Sequence, residues 1–201
     1  MTYELTAEQA ERELALAARQ NPGPWEAHSR NVGLAARRIA AACPTLDEQQ
    51  AYLCGLLHDI GRRNGVSAMR HTIDGYDYAM ANGWPRIARV CLTHSFPTRD
   101  ADADIARRDI TEEQYQFIKQ YLQQTEYDEY DKLIILCDAL ADADGFCLLE
   151  KRLVDTSRRY GLYPFTLDRW NSTFAYKEHF EALIGASVYT LLPGIERCLY
   201  C

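Results

Sequence analysis

LCGLLHDIGRR (residues 53–63) places a histidine and an aspartate side by side at the end of an apolar helical run. His58 lies one turn after Cys54 and two turns after Ala51, on the stripe that should face a core. Consecutive side chains on a helix diverge by about 100°. His58 and Asp59 can therefore converge on one ion, and the carboxylate can also bridge to a second.

Working outward, the same anomaly recurs. In AHSRNVGLAARRIA (27–40), His28 shares a face with Val32, Ala35 and Ile39. His94 follows Ile87, Val90 and Cys91 on one face, and in KLIILCDALADADG (132–145) Asp138 follows Ile134 and Ile135. Each polar residue interrupts an apolar stripe. A core imidazole bonded to a backbone carbonyl is the ordinary explanation of one such histidine. It has to hold for each in turn, and it leaves a buried aspartate and an adjacent His-Asp pair without a reason. A buried carboxylate must be paired, hydrogen-bonded or metal-bound. Imidazoles and carboxylates are the ligands of divalent metals, so one shared ion answers every case.

The surrounding chain reads as helix throughout. Thr6 to Gln9, Asp47 to Gln50 and Thr111 to Gln114 have capping-box spacing. Pro24 and Pro85 suit first helical positions, and Gly23, Gly61 and Gly83 suit helix ends. Helices are expected at about 6–20, 24–43, 47–60, 72–82, 85–95, 111–124 and 128–143, with two more near 146–160 and 174–192. Phe96 to Ile110 breaks the pattern and reads as a loop, with Asp100 to Asp104 as a solvated tract or a lid. No stretch alternates as a half-buried strand does. The expected fold is an all-α multi-helix bundle: a metal-binding domain over 1–145 and a C-terminal helical extension over 146–201 packed on it.

The 201 residues suit one domain. A formal charge of −7 argues against nucleic-acid polymers and anionic membranes as partners. No apolar run approaches the roughly 20 residues of a bilayer span, and the N-terminal residues lack the pattern of a secretory signal. Seven cysteines, an odd number lying mostly in apolar stretches, fit a reducing cytoplasm. Cys54, Cys91 and Cys137 read as core, and Cys198 with Cys201 as a lone C-x-x-C too sparse for zinc.

The ordered pattern His28, then His58-Asp59, then Asp138 resembles the HD superfamily of metal-dependent phosphohydrolases over about residues 24–145. The resemblance implies that His28, His58, Asp59 and Asp138 ligate one divalent ion. His71, in RHTIDGYDYAM (70–80), and His94 match the histidines that hold a second ion in two-metal members, with Asp59 bridging. This pattern is shared by the HD-GYP phosphodiesterases and the diadenosine tetraphosphate hydrolase branch. The GYP signature itself is absent, Gly75-Tyr76-Asp77 standing in that region, and His94 is followed by Ser95 rather than by a second histidine.

The implied cofactor is one or two divalent ions (Mn, Fe, Mg, Co, Ni or Zn). The implied substrate is a small phosphorylated molecule such as a nucleotide, cleaved by metal-activated water with Asp59 and Arg62 as catalytic residues. Arg62, right after the HDIG turn, is the first candidate to face phosphate, with Arg63 and Arg70 behind it and Arg99 weaker. Asp142 reads as a support to the ligands or as plain helix surface, and His179 as exposed. Tyr115, Phe117, Tyr121, Tyr127 and Tyr130 read as core before they read as a base-stacking surface. Two other readings stand beside hydrolysis: a di-iron oxygenase on the same scaffold, and a non-catalytic module that keeps its metal for stability. A homodimer stays open.

Overall fold

The structure is a computed structural model and describes residues 5–200. It is all-α. The helices are α1 (Ala7–Gln20), α2 (Trp25–Ala42), α3 (Glu48–Leu57), α4 (Arg70–Ala81), α5 (Pro85–Thr93), α6 (Glu112–Gln124), α7 (Glu129–Leu140), α8 (Leu149–Tyr160) and α9 (Thr166–Ile184), with short 3-10 turns between and after them. Thr6 and Thr111 make full capping boxes with Gln9 and Gln114. Asp47 caps α3 through the Gln50 amide at 2.6 Å, but the Gln50 side chain turns to the Cys54 thiol. Pro85 is the first residue of α5, whereas Pro24 serves as the N-cap of α2.

Several boundaries differ from the sequence reading, each for a local reason. The helix expected to reach residue 60 stops at Leu57, and the chain tightens into a 3-10 turn over Ile60–Asn64. Gly61 is not a helix end; it lies in this turn against the α4 backbone. A Cβ there would sit 2.1 Å from the His71 carbonyl oxygen and 2.4 Å from the Gly75 nitrogen. α4 begins at Arg70, so His71 lies in its first turn. The helix expected to run to residue 143 stops at Leu140, where Ala141–Asp142 and Gly145–Phe146 pair as a two-residue antiparallel hairpin. α9 runs from Thr166 to Ile184, not from 174 to 192, and ends at Gly185 in the left-handed region with φ of 68°. Within the 96–110 loop, Ala101–Ala103 forms a 3-10 turn whose two alanines are buried.

Three close contacts hold the site-bearing segments. α2 and α3 meet at their backbones: a Cβ on Gly55 would sit 2.7 Å from the Gly33 Cα. The Gly61–Gly75 contact does the same for the 3-10 turn and α4. The third is polar. Asp131 on α7 is fully buried and takes Arg89 at 2.5 Å and Thr93 at 2.8 Å, both from α5. It also caps its own helix through the Asp128 amide at 2.9 Å. α9 packs on α7, and Phe180 joins the same core as Val32, Leu57 and Leu136. Tyr115 and Tyr127 are core residues of a second cluster with Phe96 and Ile118.

No helix among the described residues is long and apolar enough to cross a membrane. The described cysteines are unpaired, five of them buried; Cys201, the second half of the terminal C-x-x-C, lies outside the described residues.

Gly61→Ala is expected to destabilise the protein by about 3 kcal/mol, since a methyl group meets unyielding backbone. Gly83→Ala, strained at φ of 74° but facing open space, is expected to cost about 1–2 kcal/mol. Urea unfolding of the two variants against wild type measures the order. Asp131→Ala, which strands Arg89 and Thr93, is expected to cost about 3 kcal/mol or more in the same assay.

Candidate metal centre

The His-Asp pair sits where α3 ends. His58 is the C-cap of α3 in helical geometry, while Asp59 leaves it with φ of −103° and ψ of 15°. The pair therefore does not ride on a regular helix, as the spacing argument had it. The break lets Asp59 reach toward α4 and α5. Around it gather His28 from α2, His71 from α4, His94 at the C-cap of α5 and Asp138 from α7. His58, Asp59, His71 and His94 are buried.

Backbone carbonyls fix the rings. His58 Nδ1–H donates to the Gly55 carbonyl at 2.7 Å, His94 Nδ1–H to Val90 at 3.1 Å, and His71 Nδ1–H to Ala68. A carbonyl cannot donate, so each Nδ1 carries the proton and each Nε2 is left as a lone pair. These lone pairs point at one another and at carboxylate oxygens. His71 Nε2 lies 3.1 Å from His94 Nε2 and 3.2 Å from Asp59 Oδ1. His94 Nε2 is 3.6 Å from the same Oδ1, while His58 Nε2 is 3.8 Å from Asp59 Oδ2 and 3.8 Å from Asp138 Oδ1. The Ser95 hydroxyl reaches His94 Nε2 at 3.0 Å. His58 Nε2 and Asp59 Oδ1 are buried with no hydrogen bond at all.

Protonating the rings does not relieve this. Burial lowers His58 to about 4 and His71 to about 3, outweighing the pull of Asp59. Burial works against ionisation of Asp59 as well, yet Arg62 and the surrounding histidines hold its carboxyl well below the ordinary range. Burial likewise opposes charge on His28 and Asp138. Their mutual hydrogen bond at 2.8 Å prevails, raising the imidazole and lowering the carboxyl. Acceptors facing acceptors around an ionised carboxylate is the arrangement a cation resolves.

Ligand atoms of His28, His58 and Asp138 lie within 4.8 Å of one another, and so do those of His58, Asp59 and His94. Donors bound at about 2.0–2.2 Å to one first-row metal lie roughly 3 Å apart, so small side-chain shifts close either group. The residues present fit a divalent ion.

Arg62 Nε is bonded to Asp59 Oδ2 at 2.5 Å, and its Nη2 lies 3.5 Å from His71 Nε2. Arg62 also lines a cavity of about 570 Å³ that opens beside His71, His94 and Asp138. Arg63 and Arg70 are not brought there. The Arg63 guanidinium lies over the Tyr78 ring at 3.8 Å and donates to Gln20. Arg70 is exposed and pairs with Asp74 at 3.3 Å. Arg99 faces Tyr127, Asp142 pairs with Arg152, and His179 stands away from the cluster on Glu129 at 2.5 Å.

The sequence reading missed Asp104, Arg152 and Arg169, which also line the cavity. A signal for both arginines was available. Arg169 precedes Thr173, Tyr176 and Phe180 on one face of α9, and Arg152 lies between Leu149 and Thr156 on one face of α8. They are charges on inward stripes, like the histidines.

An all-helical bundle that buries a His/Asp cluster at the root of a polar cavity defines a class of metal-binding helical proteins. The HD domain model matches residues 25–143, more than half of the chain, and the chain belongs to the HD domain family, a superfamily of metal-dependent hydrolases. No curated protein and no solved structure matches the chain.

Asp59→Ala removes the carboxylate that faces three of the imidazoles. The variant is expected to lose bound divalent metal after purification without chelator, measured by elemental analysis, where the wild type retains it. A fully metallated Asp59→Ala protein would contradict the assignment.

Proposed function

We propose that the chain is a phosphohydrolase that cleaves a phosphoester of a nucleotide or other small phosphorylated molecule by metal-activated water. One observation carries this: imidazole lone pairs and two carboxylates converge at the root of a cavity whose wall also carries Arg62, Arg107, Arg152, Arg159 and Arg169. His28, His58, Asp59 and Asp138 would hold one ion. His71 and His94 would hold a second, with Asp59 shared, because Asp59 Oδ2 faces His58 while Oδ1 faces His71 and His94. The imidazoles of this mixed donor set suit Zn, Fe or Ni, and its carboxylates suit Mn or Mg. A divalent ion lowers the pKa of bound water toward neutrality and polarises a phosphoryl oxygen.

The chain's own residues do the rest. The backbone carbonyls of Gly55, Ala68 and Val90 keep three imidazoles in the ligating tautomer. Arg62 keeps Asp59 ionised and puts a guanidinium at the cavity, where its planar fork suits phosphate oxygens. Phosphoryl transfer needs mainly positioning and charge neutralisation. Arg152 and Arg169 lie farther along the cavity wall, where Asp142 and Asp104 offset their charges.

The described part of the C-terminal segment, residues 146–200, acts as an extension of the metal-binding domain that supplies this outer wall through α8 and α9. The net charge of −7 and the depth of the ligands favour a small substrate over a nucleic-acid polymer. The unpaired buried cysteines favour a reducing compartment.

A panel of phosphomonoesters, dinucleoside polyphosphates and cyclic nucleotides, assayed with added Mn²⁺, tests the reading. Turnover is expected on at least one class, abolished by chelation and restored by metal. Arg62→Ala is expected to lower kcat/KM about 100-fold while retaining metal. A stably metallated protein that hydrolyses no member of the panel would leave a binding module rather than an enzyme.

A further inference from the structure

One wall of the cavity carries polar atoms that hydrolysis at the histidine cluster does not use. Asp104, just after the Ala101–Ala103 turn, has a side chain only 4% exposed. Its Oδ1 accepts from the Ile105 amide at 2.8 Å and lies 3.5 Å from Arg169 Nη1. Its Oδ2 is buried and makes no hydrogen bond. Ser67 Oγ, on the loop before α4, lines the same cavity and is likewise buried without a partner. Burial raises the Asp104 carboxyl against the pull of Arg169 and of the Ala106 and Ile105 amides.

These atoms belong to a built wall. The Ala68 and Arg70 amides donate to the Asp109 carboxylate at 2.7 and 2.8 Å, and the Met69 amide donates to the Arg107 carbonyl at 3.3 Å. The loop bearing Ser67 is thus stitched to the segment that follows Asp104. Arg169 donates to the Ala103 carbonyl at 2.7 Å and the Ser95 carbonyl at 3.1 Å, tying Asp104's loop to the residue beside His94.

A fixed carboxylate oxygen left unpaired in such a wall calls for a donor, since orphaned buried acceptors are costly and rare. A carboxylate only accepts and repels phosphate, so this is not a second phosphate subsite. Hydroxyls are neutral donors that suit both Asp104 Oδ2 and Ser67 Oγ. The aromatic side chains of Tyr160 and Trp170, on the same cavity, suit the C–H faces of a sugar ring.

We propose that Asp104 and Ser67 form a subsite for the hydroxyl-bearing organic part of the substrate, making sugar and polyol phosphoesters the preferred class. This rests on the phosphohydrolase reading for its chemistry, but not for its binding.

The test compares ribose 5-phosphate and glycerol 3-phosphate with phenyl phosphate and ethyl phosphate, which lack hydroxyls, on the Mn²⁺-loaded full chain. Wild type is expected to favour the hydroxylated pair in kcat/KM. Asp104→Asn, which turns the orphan acceptor into a donor, is expected to shrink that preference about tenfold or more, mainly through KM. Ser67→Ala, which removes no existing bond, is expected to shrink it about threefold and serves as the second variant if Asp104→Asn does not fold. Equal effects on all four compounds, or an unchanged preference in a folded variant, overturn the proposal. If wild type hydrolyses none of the four, calorimetric binding of the same compounds to the same proteins decides. Tighter binding of the hydroxylated pair, lost in the variants, sustains the subsite although this esterase chemistry has failed. Indifferent binding removes it.

Discussion

The fold is organised around an electrostatic conflict that the protein's own atoms resolve only in part: Ser95 reaches His94 Nε2 and Arg62 reaches His71 Nε2, while His58 Nε2 and Asp59 Oδ1 have no donor. His71 and His94 turn lone pairs toward each other at 3.1 Å beside an ionised carboxylate. His58 contributes another lone pair with nothing to accept. Each ring is held in this tautomer by a carbonyl of its own segment, so rotating a proton into the gap would sacrifice a backbone bond. Burial suppresses the doubly protonated form of His58 and of His71. A divalent ion removes the conflict in one stroke, because it needs the same lone pairs that otherwise repel.

The packing explains how separate helices reach one point. Gly33 against Gly55 and Gly61 against Gly75 let backbones approach more closely than any side chain would permit. These contacts set the spacing of α2 to α3 and of the 3-10 turn to α4. Asp131 joins α5 to α7 through Arg89 and Thr93, and so sets His94 relative to Asp138. Stability and site geometry therefore depend on the same few residues. The site is assembled from helix ends, and the carbonyls of Gly55, Ala68 and Val90 at or beside those ends orient three of the imidazoles.

Much of this was legible in the sequence because the clustered residues are misplaced by core logic: polar groups on stripes that should be apolar. That argument found His28, His58, His94 and Asp138 without coordinates, and the order of the motif added His71. It was weaker wherever tertiary contacts override local pattern. The apolar run before His58 reads as helix through residue 60, yet the Gly61–Gly75 contact breaks it at Leu57. The stretch Trp170-Asn171-Ser172-Thr173 lies ahead of the helix expected from residue 174, but it is helical; the Thr173 hydroxyl bonds back to the Arg169 carbonyl at 2.9 Å, and Phe180 anchors the helix in the core. Asp104 was hidden in a tract whose composition suggested solvent. Arg63 and Arg70 looked like neighbours of Arg62 along the chain, but the 3-10 turn and the start of α4 send them elsewhere.

X-ray absorption spectroscopy of the Mn²⁺- or Zn²⁺-loaded protein tests the central claim most directly. The account predicts a first coordination shell of imidazole nitrogen and carboxylate oxygen at about 2.0–2.2 Å, with the multiple-scattering signature of at least two imidazoles. A spectrum of the hydrated ion, or of a shell without imidazole, would show that these histidines and aspartates face one another for some reason other than a metal.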